Sequence, residues 1–198
     1  MTGPDVVETL AGIAAGQWGM FTTAQAEAAG VGRHEVARMV RRKLVRRVRQ
    51  GVHIMAGVPS DEFEGVRAAW LATDPSRMVS DRYGDPDPVV VCDETAAAIH
   101  QIGDLPGSGV HLCAARRLQT RQTGVNFHRR ELGEAEYQWV GGLPVTTPRR
   151  TLEDLVSSQR WELDQLRNLV SDAITRGLIP AEDVMRSTVL SHSGLLHG

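Results

Sequence analysis

Seventeen consecutive residues, Arg33 to Arg49, hold eight basic side chains and a single acid, Glu35. Eight minus one gives this segment a charge of +7, whereas the whole chain carries −2, so the remainder must sum to −9. Cations packed this densely repel one another unless a polyanion lies opposite, and nucleic acid is the usual one. A solvated arginine-rich helix face is the plainer alternative. The make-up of the charge excludes two enzyme classes. Of 22 basic residues Lys43 is the lone lysine, and it follows Val40-Arg41-Arg42. A phosphate-binding Walker loop needs a lysine after its glycines, and a D…E-x-K nuclease site needs one beside its carboxylates; Lys43 serves neither.

The sequence around the ridge reads as helices followed by a hairpin. From Asp5 to Ala15, Val6, Val7, Leu10, Ile13 and Ala14 fall at helical spacing, with Asp5 placed to cap and Gly16 to terminate. Thr22 and Gln25 have capping-box spacing, with Phe21 as a staple against Ala26, so a second helix is expected from Thr22 or Thr23 to Ala29-Gly30. After the glycine-containing turn Gly30-Val31-Gly32, a third helix from Arg33 to about Arg42 would bury Val36, Met39 and Val40 and present His34, Arg38 and Arg41 outward. Leu44 to Arg49, the turn Gln50-Gly51 and the apolar run Val52 to Met55 complete a β-hairpin. Helix, turn, helix and basic hairpin in this order form a winged helix-turn-helix.

Roles within that module follow from side-chain chemistry. Arg38, Arg41 and His34 are candidates for base edges, because an arginine fork pairs bidentately with guanine. Thr22, Thr23, Arg33, Arg42, Lys43 and the hairpin residues Arg46, Arg47, Arg49 and Gln50 are placed for phosphates or an adjacent minor groove. Gln25 reads as a cap only.

Val58-Pro59-Ser60 marks the expected boundary between a DNA-binding domain, residues 1–58, and an interaction domain, residues 59–198. In the second region a helix from Ser60 to near Asp74 precedes the loop Gly84 to Pro88, a strand Val89 to Cys92, and a helix Ala96 to Ile102 capped by Asp93-Glu94-Thr95. Extended segments follow at 109–114, 124–128 and 137–145, then helices at 148–158 and 162–176, a short helix opened by Pro180, and a frayed end from Ser191. The fold class is therefore α+β: a winged helix-turn-helix, then a mixed domain with terminal helices.

No catalytic or metal site stands out in that second region. His100, His111 and His128 are too dispersed for a ligand spacing, Asp85-Pro86-Asp87 is a proline-kinked loop, and Gly107-Ser108-Gly109 lacks the strand-to-helix setting of a nucleophile elbow. Neither an enzyme, a cofactor nor a metal is expected; His100 reads as a packing histidine, and Cys92 and Cys113 as free core thiols. No stretch approaches ~18 uninterrupted apolar residues, and Asp5 and Glu8 occupy the stretch where a signal peptide would carry cations, so a soluble, cytoplasmic protein without membrane contact is expected.

Four segments carry a resemblance to a known family: Gly19 to Val31, Leu44 to His53, Val90 to His100 (VVCDETAAAIH) and Gly142 to Leu155 (GLPVTTPRRTLEDL). In this order they resemble the AbiEi antitoxins of bacterial type IV toxin–antitoxin systems, over residues 5 to 156. The resemblance implies a winged helix that represses its own operon by binding promoter DNA repeats, and a C-terminal domain that counteracts a nucleotidyltransferase-type toxin; with one recognition helix per protomer, two protomers are expected to occupy an inverted or direct repeat together. Arg33, Arg38, Arg41 and the hairpin arginines would form the operator surface. Where many relatives have Ser-x-x-Ser-Ala before the alanine helix, this chain has Cys92-Asp93-Glu94-Thr95-Ala96, read here as a capping variation. A winged-helix module that grips RNA or an acidic protein, with no operator, is the alternative function.

Overall fold

Val6, Leu10 and Ala14 recur every fourth residue and form the buried side of the first helix, α1 (Gly3–Ala15), in a computed structural model that describes residues 3–107, 109–119 and 123–192. A three-residue strand β1 (Met20–Thr22) leads into α2 (Thr23–Ala28), α3 (Arg33–Arg41) and the hairpin of β2 (Val45–Arg49) and β3 (Val52–Met55). The capping box forms: Thr22 Oγ1 accepts from the Gln25 amide at 3.0 Å, and Gln25 Oε1 accepts from the Thr22 amide at 2.9 Å. Phe21 and Ala26 share one core cluster with Leu10, Val36, Met39 and Val45. Strand β1 is too short to show alternation in the sequence. It exists because β3 offers it an edge, pairing Met20 with Ile54, Phe21 with His53 and Thr22 with Val52, so the sheet order is β1-β3-β2.

The first compact unit does not stop at residue 58. It runs from Met1 to Pro88, and the second from Val89 to Gly198, thirty residues beyond the expected boundary. Non-local contacts account for the difference. Helix α4 (Glu64–Leu71) packs against the hairpin, with Arg46 forked onto Glu64 at 2.7 Å through both nitrogens. The side-chain amides of Gln17 and Gln25 donate to each other at 3.0 Å in both directions, and Gln25 also donates to the Arg77 carbonyl at 2.8 Å while Gln17 accepts from the Val79 amide at 3.1 Å. Buried Arg82 lies over the Trp70 ring at 4.2 Å and donates to the carbonyls of Trp70 and Leu71. Gln25 is thus both a helix cap and a tie to the segment after α4.

The second unit is built on a mixed sheet of order β6-β5-β4-β8-β7, with β4 Val90–Val91, β5 Val110–Ala114, β6 Val125–Arg129, β7 Tyr137–Val140 and β8 Leu143–Thr146. The extended segment expected over 137–145 is a hairpin folded at Gly141-Gly142, both at positive φ. Gly109 shows why a side chain is excluded beside β5: at φ +110 an added Cβ would lie 2.7 Å from the Gly124 carbonyl oxygen. Helices α5 (Asp93–Ile99), α6 (Pro148–Ser157), α7 (Leu163–Thr175), α8 (Ala181–Arg186) and α9 (Thr188–His192) complete the unit. Their apolar faces meet in a core that includes Ala97, Ile102, Leu152, Leu155, Leu169 and Val170. Part of the end expected to fray from Ser191 is helical to His192, and the rest lies outside the described residues. The mixed α+β class is as expected from the sequence.

The expected cap of α5 takes another form. Cys92 occupies the cap position and makes no side-chain cap hydrogen bond, and Asp93, at φ +50 and fully buried, turns to Arg130 instead. Arg130 grips both Asp93 oxygens, Nη1 to Oδ1 at 2.8 Å and Nη2 to Oδ2 at 3.1 Å, and reaches Asp154 at 3.2 Å. Arg150 holds the other Asp154 oxygen at 3.0 Å and pairs with Glu136. Burial alone would raise the Asp93 carboxyl, but hydrogen bonds from His111 and Arg130 hold it well below the usual carboxylate range. For Asp154 burial prevails over Arg130 and Arg150, and its carboxyl is raised.

Candidate nucleic-acid interface

Helix α3 and the hairpin enclose an open groove of about 590 Å³ lined by Thr23, Arg33, Ala37, Arg41, Arg47, Gln50 and His53, with Val36 and Val40 among its apolar walls. Arg33, Ala37 and Arg41 stand four residues apart and so share one helix face. Arg47 and Gln50 face them from the hairpin, whose turn uses Gly51 at φ +77. Thr23 anchors the two sides to each other: its amide donates to the Gly51 carbonyl at 2.9 Å, and its hydroxyl lies 3.1 Å from His53 Nε2. His53 sits among the lining residues, 7% exposed and stacked on Phe21 at 5.4 Å. Burial, reinforced by the Arg47 charge across the hairpin, lowers its pKa and disfavours the charged ring. The groove is cationic at its edges, with the apolar Val36 and Val40 between them.

The twelve residues singled out in the sequence divide accordingly. Thr23, Arg33, Arg41, Arg47 and Gln50 come together along the groove. Arg41 and Arg47 have no acidic partner among the described residues, and exposed Arg42 and Lys43 stand beside them at the end of α3, likewise unpaired there. Arg33 pairs with Glu27 at 2.7 Å, but both side chains are largely in solvent and can exchange partners. His34 is exposed on the face next to the groove, and Arg38 is drawn to Glu35 at 2.6 Å. The helix line facing the hairpin is thus Arg33-Ala37-Arg41 rather than His34-Arg38-Arg41.

Three residues are placed for other work. Thr22 is fully buried as the cap of α2, and its hydroxyl also donates to the Pro75 carbonyl, so no phosphate can reach it. Arg46 points to α4, where it binds Glu64, and also donates to the Ser60 hydroxyl just before that helix; the hydrogen bond with Glu64 raises the guanidinium and lowers the Glu64 carboxyl. Arg49 is half-buried, and burial lowers its pKa. Sequence reasoning missed Ala37 and His53. Ala37 was readable as the position between Arg33 and Arg41 on one face, whereas His53 declares itself only through its cross-strand register with Arg47.

This division gives a direct test. Arg46→Ala should leave DNA affinity within about twofold and cost no more than about 1 kcal/mol of stability, as for other exposed ion pairs. Arg47→Ala should weaken binding to every duplex alike and leave stability within about 0.5 kcal/mol. Titrations of both variants against labelled duplex, with urea melts alongside, check this; equal losses of affinity would contradict the placement of Arg46.

Other candidates of the sequence lie in varied settings. His100 is buried with Nε2 2.7 Å from the Thr146 carbonyl oxygen, and burial lowers its pKa. Cys92 and Cys113 are free, buried neighbours, and burial together with Cys113 pushes the Cys92 thiol up. Asp85 holds Arg77 at 2.5 Å. Ser108 lies outside the described residues. His111 and His128, dispersed in sequence, are brought together by parallel pairing of β5 with β6, their rings stacked at 5.2 Å. Among the described residues no helix is long and apolar enough to cross a membrane.

Residues 8–52 match a family model described as "Transcriptional regulator, AbiEi antitoxin". Over that segment the chain is AbiEi-like, as the sequence suggested. The match runs from the middle of α1 through α3 and β2 to the first residue of β3, and so takes in both walls of the groove. A search of curated proteins finds no match. The matched segment thus holds Arg41, Arg42, Lys43 and Arg47, which have no acidic partner among the described residues.

Proposed function

We propose that this protein is the antitoxin of a bacterial toxin–antitoxin pair, and that its N-terminal unit represses the operon by binding promoter DNA repeats. Helix α3 enters a major groove with Arg41 and Ala37 toward base edges, and the duplex backbone runs between α3 and the hairpin, against Arg33, Arg47, Gln50 and Thr23. The observation that supports this reading best is the groove itself, flanked by Arg41 and Arg47, which have no acidic partner among the described residues, and formed largely by the segment that matches a regulator family. Two protomers on adjacent repeats would convert weak half-site affinity into useful occupancy. The C-terminal unit, which holds the segments around 90–100 and 142–155, counteracts a nucleotidyltransferase-type toxin.

Fluorescence anisotropy with the DNA upstream of the gene and a scrambled duplex of equal length tests the first half. Affinity for the upstream DNA should be tighter by about 10³-fold or more. Indistinguishable affinities would leave an RNA- or protein-binding module instead. For the second half, co-expression with the product of an adjacent nucleotidyltransferase-like gene should restore growth. An Arg41→Ala/Arg47→Ala double variant should rescue equally, because the two activities reside in different units.

A further inference from the structure

We propose that Asp93, Glu94, His111 and His128 bind one divalent transition-metal ion, with Zn2+ as its representative. Asp93 and Glu94 open α5, His111 lies on β5 and His128 on the edge strand β6. His111 Nδ1 is 3.0 Å from His128 Nε2, 3.3 Å from Glu94 Oε2 and 3.6 Å from Asp93 Oδ2. His128 Nε2 is 3.1 Å from the same Asp93 oxygen. The donor atoms of Asp93, Glu94 and His111 all lie within 4.8 Å of one another.

Protons satisfy this arrangement only in part. One hydrogen on His111 can serve Asp93, Glu94 or His128 but not all three, and the His128 lone pair then faces the Asp93 oxygen at 3.1 Å. Hydrogens on both rings can each aim at a carboxylate, His128 at Asp93 and His111 at Glu94, but leave two N–H groups 3.0 Å apart. A cation at the centre would take the four donor atoms together. Ligands at about 2.0–2.1 Å in a tetrahedron lie about 3.3–3.4 Å from each other, and four of the six separations, those joining His111 to the other three and His128 to Asp93, run from 3.0 to 3.6 Å and bracket that edge.

The surroundings are those of a supported ligand set. Glu94, whose side chain is 2% exposed, receives a well-formed hydrogen bond on neither oxygen; Arg160 approaches Oε1 at 2.9 Å as an ion pair and leaves Oε2 toward His111. Arg130 fixes Asp93, and the Asn126 amide nitrogen lies 3.2 Å from His111 Nε2; with Nδ1 on the ion, Nε2 would carry the hydrogen and the amide would turn its oxygen to accept it. Two imidazoles with two carboxylates favour Zn2+ or a similar transition ion over Mg2+ or Ca2+. Arg130 and Arg160 temper the carboxylate field, and the ion would clamp the edge strand β6 to α5.

The test uses the full chain, free of any affinity tag and stripped with chelator. Calorimetric titration with Zn2+ should show a single saturable equivalent, Co2+ should develop visible ligand-field absorption, and the unfolding midpoint should rise with Zn2+ concentration. His128 is 28% exposed on an edge strand, so His128→Gln should fold, as checked by circular dichroism, and bind at least about 10–100-fold more weakly. His111→Gln provides a second, independent loss. Absence of saturable binding by the folded wild type, or retention of full affinity by folded His128→Gln, overturns the proposal.

Discussion

Arg130→Met should destabilise the C-terminal unit by about 3–5 kcal/mol, the cost of leaving buried carboxylates without their cation. Asp93 is fully buried, and Arg130 supplies two of its hydrogen bonds and part of the charge compensation of Asp154. Methionine keeps most of the length and apolar bulk, so the loss is electrostatic rather than steric. The pH dependence separates the two causes. In the wild type the folded Asp93 pKa lies below the unfolded value of about 3.9, so its contribution is present above that pH and disappears as pH falls further. Without Arg130 much of what holds the carboxyl down against burial is lost, and the protonated acid becomes easier to hold in the folded state. The gap between variant and wild type should therefore narrow on acidification from neutral pH towards 4. Urea unfolding at several pH values measures it. A gap of under about 1 kcal/mol, or one that does not change with pH, would show that Arg130 acts through packing.

In the metal-free chain buried His100 and partly exposed His128 add a second, milder acid sensitivity. Burial lowers the pKa of His100 in the folded chain, and of His128 despite the opposing pull of Asp93. Unfolded histidines take up protons near pH 6.5 while these resist, so stability should begin to fall as pH drops below about 6.5 and continue until the folded values are reached.

Much of the first unit could be read locally. The four-residue recurrence of Val6, Leu10 and Ala14, the Thr22–Gln25 box and the Gln50-Gly51 turn are interactions between near neighbours in the chain, and each formed. What escaped depends on distant partners. Strand β1 needs the edge of β3, and α4 belongs to the first unit because Glu64 meets Arg46 and because Arg82 plugs the end of the helix. The pattern of Arg33 to Arg49 located the cationic surface but not how it divides. Whether an arginine lies free or in an ion pair depends on whether an acid such as Glu35, Glu27 or Glu64 stands within reach. In the second unit His111 and His128 lie seventeen residues apart, and only the parallel register of β5 with β6 makes them neighbours.

Affinity for operator DNA should fall by roughly 10³–10⁵ between ~50 and ~200 mM salt, the response of a complex that neutralises about 6–10 phosphates. Arg33, Arg41, Arg42, Lys43 and Arg47 supply five candidate phosphate or base contacts per protomer, and two protomers on adjacent repeats reach that range. Arg38 and Arg46 are left out because they are less exposed in their pairs with Glu35 and Glu64 than Arg33 is in its pair with Glu27. Each remaining cation on a phosphate displaces condensed counterions, so its removal should show in the slope of log affinity against log salt. Arg47→Ala should reduce that slope by about 1 for each protomer and affect all sequences equally. Arg41→Ala, on the helix face that enters the major groove, should instead cost about 1–3 kcal/mol and relax preference at one base pair, with a smaller change in slope. The same titrations with Arg46→Ala should reproduce the wild-type slope. A nearly flat salt response in the wild type would mean that the groove does not receive a phosphate backbone, whatever the family of the segment that forms it.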